Sequence, residues 1–82
     1  MTYQEKEITK DHLEKAIKVL DLDEGIRIEN KSTTIFVNKS AKRYCINTST
    51  NNKEEFSYFI DAGEVLNFLR SNTEQDCKIF SY

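Results

Sequence analysis

At Gly25 the spacing of apolar residues changes from the three-and-four of a helix to the two of a strand, and no other feature of the chain constrains its fold as strongly. Before that point Leu13, Ala16, Ile17 and Leu20 recur on one helical face, while Lys10, Glu14, Lys15 and Lys18 take the solvent side. The pattern predicts a helix over residues 9–20. Asp11 is placed to accept from the backbone N–H of Glu14 with Glu14 reaching back, as in a capping box, and Thr9 is the alternative cap. The helix is expected to end over residues 21–25, with Gly25 supplying the left-handed conformation that closes it.

After Gly25, Ile26 and Ile28 point one way and Arg27 and Glu29 the other, which opens a strand. Residues 30–32 read as a turn, 33–37 as a second strand, 38–41 as a turn and 42–48 as a third strand. A loop over 49–53 leads to a fourth strand over 54–60, on which Phe56, Tyr58 and Ile60 share a face. Asp61 then offers an N-cap, with Glu64 at the capping-box position. A second helix follows to about Ser71, with Ala62, Val65, Leu66 and Leu69 on one side. The apolar tail over 77–82 either adds an edge strand or packs across the core.

Short polar connections between consecutive strands imply an antiparallel meander. Two singly striped helices bury their stripes most simply on the same face of that sheet. The expected architecture is therefore one small α+β domain over 1–82. It has a four-stranded antiparallel meander, a possible fifth C-terminal strand and two helices on one face, in the order α-β-β-β-β-α-(β). If Ile26, Ile28, Ile35, Val37, Tyr44, Ile46, Phe56, Tyr58 and Ile60 face the helices, the open face carries Arg27, Phe36, Arg43, Cys45 and Phe59.

A chain of 82 residues has material for one core, burying roughly 60% of its unfolded surface. Its 38% hydrophobic content, with five Phe and four Tyr, argues against disorder. No apolar run approaches the about 20 residues of a bilayer span, and the polar start has neither the basic nor the apolar region of an export signal, so no membrane role and a cytoplasmic location are expected. In that compartment Cys45 and Cys77 are expected as free, buried thiols. Three tripeptides beginning at Asn30, Asn38 and Asn47 match the glycosylation acceptor pattern, which carries no meaning without export.

Catalytic chemistry finds little support. The only histidine, His12, falls in the first turn of the first helix with no spacing that pairs it to a cysteine, and it reads as a solvated surface residue. The acids Asp21, Asp23 and Glu24 lack the continuation of a calcium loop, because Gly25 leads directly into strand residues. Gly25 and Gly63 are the only glycines, so no phosphate-cradling loop is formed. No enzyme, metal or cofactor is expected.

Charge is the most informative departure. Residues 1–30 hold eight acids against five bases, 31–53 hold five bases and no acid, and 54–82 hold six acids against two bases. The basic block is Lys31, Lys39, Lys42, Arg43 and Lys53, and such a patch could contact nucleic-acid phosphates. The overall charge of −2 and the pI near 5.4 argue against that, as does the role of strand-end lysines in blocking edge association. The acids Glu54, Glu55, Asp61, Glu64, Glu74 and Asp76 offer the converse, a phosphate-like surface toward a basic protein.

The first expectation is thus a non-enzymatic protein-binding module. It would dock another protein or a second copy of itself, with Arg27, Phe36, Arg43, Phe59, Glu54, Glu55, Asp61 and Glu64 as contact residues. The alternative is a nucleic-acid-binding protein using the basic meander, and a minor enzyme or small-ligand carrier with a pocket near His12 or a cysteine ranks last. In size, acidity and Asn/Lys-rich composition the chain resembles the small inhibitors and regulators that phages and mobile elements encode.

Overall fold

The computed structural model describes residues 5–73 and 76–82. The chain is α+β, in the order β1 (Lys6–Ile8), α1 (Lys10–Lys18), β2 (Gly25–Glu29), β3 (Thr34–Lys39), β4 (Tyr44–Thr50), β5 (Lys53–Phe59), α2 (Ala62–Asn72) and β6 (Lys78–Ser81). All six strands form one antiparallel sheet in the order β1-β6-β2-β3-β4-β5. The expected meander is present as β2 to β5.

Two strands correct the four-or-five-strand expectation. β1 is too short and polar, Lys-Glu-Ile, for any alternation to show in the sequence, and it forms because β6 offers it a partner. β6 is neither an edge strand nor a segment across the core. It is inserted between β1 and β2, with Ile79 aligned between Ile8 and Ile28.

Both helices pack on one face of the sheet and build a single core with it. Ile17 and Leu20 from the first helical segment meet Val65, Leu66 and Leu69 of α2 over Ile26, Ile28, Ile35, Val37, Tyr44, Ile46 and Ile79. No helix among the described residues is long and apolar enough to cross a membrane. The Tyr44 hydroxyl, buried in this core, donates to the Ile17 carbonyl at 3.2 Å and so ties β4 to the end of α1.

The helix ends differ from the expectation in instructive ways. Thr9 occupies the N-cap of α1 in extended conformation without a side-chain hydrogen bond, and Asp11 sits inside the first turn rather than capping it. Gly25 does not close the helix in a left-handed conformation. α1 ends at Val19, a turn follows in which the Asp21 N–H donates to Glu24 Oε1 at 2.9 Å, and Gly25 opens β2. Its need for glycine is one of space. A Cβ there would lie 2.5 Å from Cζ of Tyr82 and 2.7 Å from Oδ1 of Asn38, because the Tyr82 ring covers it while the two backbones exchange hydrogen bonds at 2.8 and 2.9 Å. Asp61 does cap α2, accepting from the Gly63 N–H.

The largest correction concerns the face of β5. Phe59 aligns with Tyr44 and packs against the core, with its ring 5.7 Å from that of Phe68. Phe56 and Tyr58 align with Asn47 and Cys45 and point to the open face, and Ile60 is exposed beside them. A turn of two residues, Asn51 and Asn52, dictates this register, with Asn51 at φ 48°. Counting from its flanking pair Thr50 and Lys53 places odd-numbered residues of β5 on the helix side.

Candidate functional site

Antiparallel neighbours share a face, so the open face can be read as rows running across the strands. The middle row is Glu7, Phe80, Arg27, Phe36, Asn47 and Phe56. A second row carries Tyr82, Gly25, Asn38, Cys45 and Tyr58.

Of the sequence-predicted contact residues, Arg27 and Phe36 are adjacent in the middle row, but Arg27 is already engaged. Its Nη1 lies 2.7 Å from Glu5 Oε2 and its Nε 3.1 Å from Glu29 Oε2, the latter an ion pair without a well-aligned hydrogen bond. The guanidinium also sits 4.7 Å above the Phe80 ring. Arg27 therefore ties the residue before β1 to β2 and β6, with the side chain only 25% exposed. Phe36 is half-buried and, with Leu22, Asn38, Tyr82, Glu5 and Arg27, lines an open cleft of about 440 Å³.

Tyr82 closes one side of that cleft. Burial pushes its phenol pKa upward; Arg27 opposes the shift and Glu5 adds to it. A phenol with a raised folded-state pKa favours folding below its unfolded value near 10, and that contribution is lost as pH rises through the folded value. Stability measured by denaturant unfolding is thus expected to fall more steeply above pH 10 in the natural chain than in Tyr82→Phe. Equal slopes would mean that the phenol does not sense the fold.

Arg43 stands over the Tyr58 ring, with Cζ 4.4 Å from the centroid. Beside it the open face presents Phe56 and Tyr58 of the edge strand β5 at 62% and 52% exposure, and Ile60, just past the strand's end, is 80% exposed; the sequence pattern expects all three on the helix side. Phe59, predicted on this face, is on the other. The cue was available in the sequence, because a two-residue Asn-Asn turn fixes which residues of β5 share a face with Tyr44 and Ile46.

The acidic candidates do not form one patch. Glu54 shares the open face with Phe56, whereas Glu55 aligns with Thr48 on the helix side. Asp61 is committed to capping, Glu64 lies in the first turn of α2 where the helix dipole favours it, and Glu74 lies outside the described residues. The basic candidates separate too. Lys31, in the turn after β2, and Lys53, the first residue of β5, lie at one end of the sheet, while Lys39, Lys42 and Arg43 gather at the other, about 20 Å away by strand length. Lys39 stacks 5.3 Å from the Tyr44 ring, on the helix side.

His12 is exposed and lines an open cleft of about 600 Å³ between β1, α1 and the end of β6, with Ile8, Ala16, Leu20 and Ile26 among its walls. Cys45 and Cys77 are free and half-buried rather than fully buried, and among the described residues no group of His, Cys, Asp or Glu is placed to hold a metal ion. Comparison with protein-family models, curated proteins and solved structures finds no match to this chain.

Proposed function

We propose that the chain is a non-catalytic module that docks a protein through the Phe56, Tyr58 and Ile60 stripe, with Arg43 and the adjoining open sheet face at its border. The observation that carries this reading is the stripe's exposure on a strand that ends the sheet. Three large apolar side chains stand exposed at alternate positions, and a fold that needed only stability would gain by covering them. Aromatic residues and arginine are the types that dominate interface energetics, and a guanidinium stacked on a tyrosine ring holds both side chains in place before binding, which reduces the entropy lost on docking. The division of the basic residues between the two ends of the sheet favours a protein over a nucleic acid, whose backbone needs a continuous basic track.

Photo-crosslinking tests this directly. Tyr58 is replaced by benzoyl-phenylalanine, and as a control exposed Lys15 on α1 is replaced in the same way, in cells expressing the chain. The expected result is a discrete crosslinked protein from position 58 and none from position 15. No discrete product from 58, or a product removed by nuclease, would overturn the reading.

A further inference from the structure

Resting on that reading of β5 as the docking surface, we propose that its occupant is a second copy of the chain. The β5 strands of the two copies pair antiparallel about a two-fold axis at Ser57 and join the two sheets into one. Across the two-residue turn at Asn51 and Asn52, Thr50 and Lys53 can pair only by exchanging both hydrogen bonds, and the alternation of an antiparallel ladder then assigns Lys53, Glu55, Ser57 and Phe59 to bonding β4. The N–H and C=O groups of Glu54, Phe56 and Tyr58 consequently point outward from the sheet edge.

The two edges are guarded differently. β1 has three residues, two of them charged, which is how sheets discourage further pairing. β5 has seven residues, and its charges Lys53, Glu54 and Glu55 protect only the first half. The second half carries the exposed aromatics, and the chain contains no proline to block a ladder.

Charge then selects the register. Outward-pointing residues must oppose one another, so the axis passes through a residue rather than between two. An axis at Glu55 sets that carboxylate against its own copy, and an axis at Tyr58 sets Glu55 against Asp61 of the other copy. An axis at Phe56 leaves Tyr58 opposite Glu54, and an axis at Phe59 leaves Phe56 opposite Ala62, which already belongs to α2. With the axis at Ser57, Phe56 opposes Tyr58 on the open face, a pair that occurs twice, Glu55 falls opposite Phe59, and Lys53 comes opposite Asp61, whose backbone is extended at φ −110° and ψ 136° and whose carboxylate keeps its cap on α2. Opposite charges and aromatic pairs directly across a ladder are the favourable cross-strand combinations.

Ser57 would then face Ser57 at a non-hydrogen-bonded position, where Cα atoms approach to about 4.5 Å, within disulfide range. The test uses Ser57→Cys in a chain carrying Cys45→Ser and Cys77→Ser, with Glu55→Cys as control, since the two Glu55 Cα atoms would be about 13 Å apart in this register. Mild oxidation is expected to convert Ser57→Cys to a covalent dimer and leave Glu55→Cys uncrosslinked. Light scattering on the unmodified chain, which requires no substitution, is expected to rise to twice the 9.6 kDa monomer mass with increasing concentration, and Phe56→Glu to hold it at the monomer. A natural chain that stays monomeric throughout, or crosslinking at position 55 as fast as at 57, would overturn the proposal. Failure here is distinct from failure of the docking reading: a monomer whose position 58 still crosslinks to a different protein keeps a docking edge and loses the self-pairing.

Discussion

Phe59→Ser is expected to cost roughly 2–3 kcal/mol of folding stability, lowering the thermal midpoint by about 10–20 °C, while Phe56→Ser, three positions away, should stay within about 0.5 kcal/mol of the natural chain. The contrast follows from one register. Phe59 aligns with buried Tyr44, packs against the core and meets the Phe68 ring at 5.7 Å, so its removal leaves space between the sheet and α2 that neighbours fill only in part. Its partial exposure keeps the cost below the about 3–5 kcal/mol of a fully buried phenylalanine. Phe56 stands 62% exposed on the opposite face and loses little that water does not replace. Thermal unfolding by circular dichroism on the two variants decides the matter, at a concentration low enough for self-association not to contribute. If Phe56→Ser were the destabilising change, β5 would have to be turned over by one residue, and the docking stripe would disappear into the core with it.

The same strand explains how far the sequence can be read. Where one face of a segment is clearly apolar and the other clearly polar, alternation alone suffices: Ile26 and Ile28 against Arg27 and Glu29, or Tyr44 and Ile46 against Cys45 and Asn47, all face as their pattern implies. On β5 both parities carry aromatics, and hydrophobic counting favours Phe56, Tyr58 and Ile60 over Phe59, which points the wrong way. What decides is covalent geometry, because a two-residue turn leaves no freedom in register and the face of β4 is already fixed. The helices were legible because their stripes are long, and the Asp61 cap because its side chain reaches a specific donor in the next turn. β1 was not, since three residues have no period and their conformation is imposed by a strand more than seventy positions later. The exposed stripe was therefore visible as a set of residues and invisible as a surface.

Ending the chain at Cys77 is expected to abolish cooperative folding, the largest effect foreseen for any change to this molecule. The removed segment is the strand that joins the sheet's two parts. β1 pairs only with β6, and β2 would be left as an edge with Ile26 and Ile28 open on the side that β6 now covers. Ile79, 2% exposed between Ile8 and Ile28, would alone account for about 2–5 kcal/mol by analogy with buried isoleucine truncations. Phe80 under the Arg27 guanidinium and the two backbone bonds between Tyr82 and Gly25 are lost with it, and Glu5 loses its hold on Arg27 as β1 loses its partner strand. The sum exceeds the about 5 kcal/mol at the lower end of small-domain stability, so a thermal melt of the shortened chain should show no sigmoidal transition. A peptide spanning residues 76–82, added in excess, should restore one by mass action, with a midpoint that climbs with the logarithm of its concentration. A shortened chain that melts cooperatively within a few degrees of the full one would mean that β2 to β5 and the two helices stand alone. Because β6 pairs with β1 and β2 across long sequence separations, the full chain should also fold more slowly than a helical bundle.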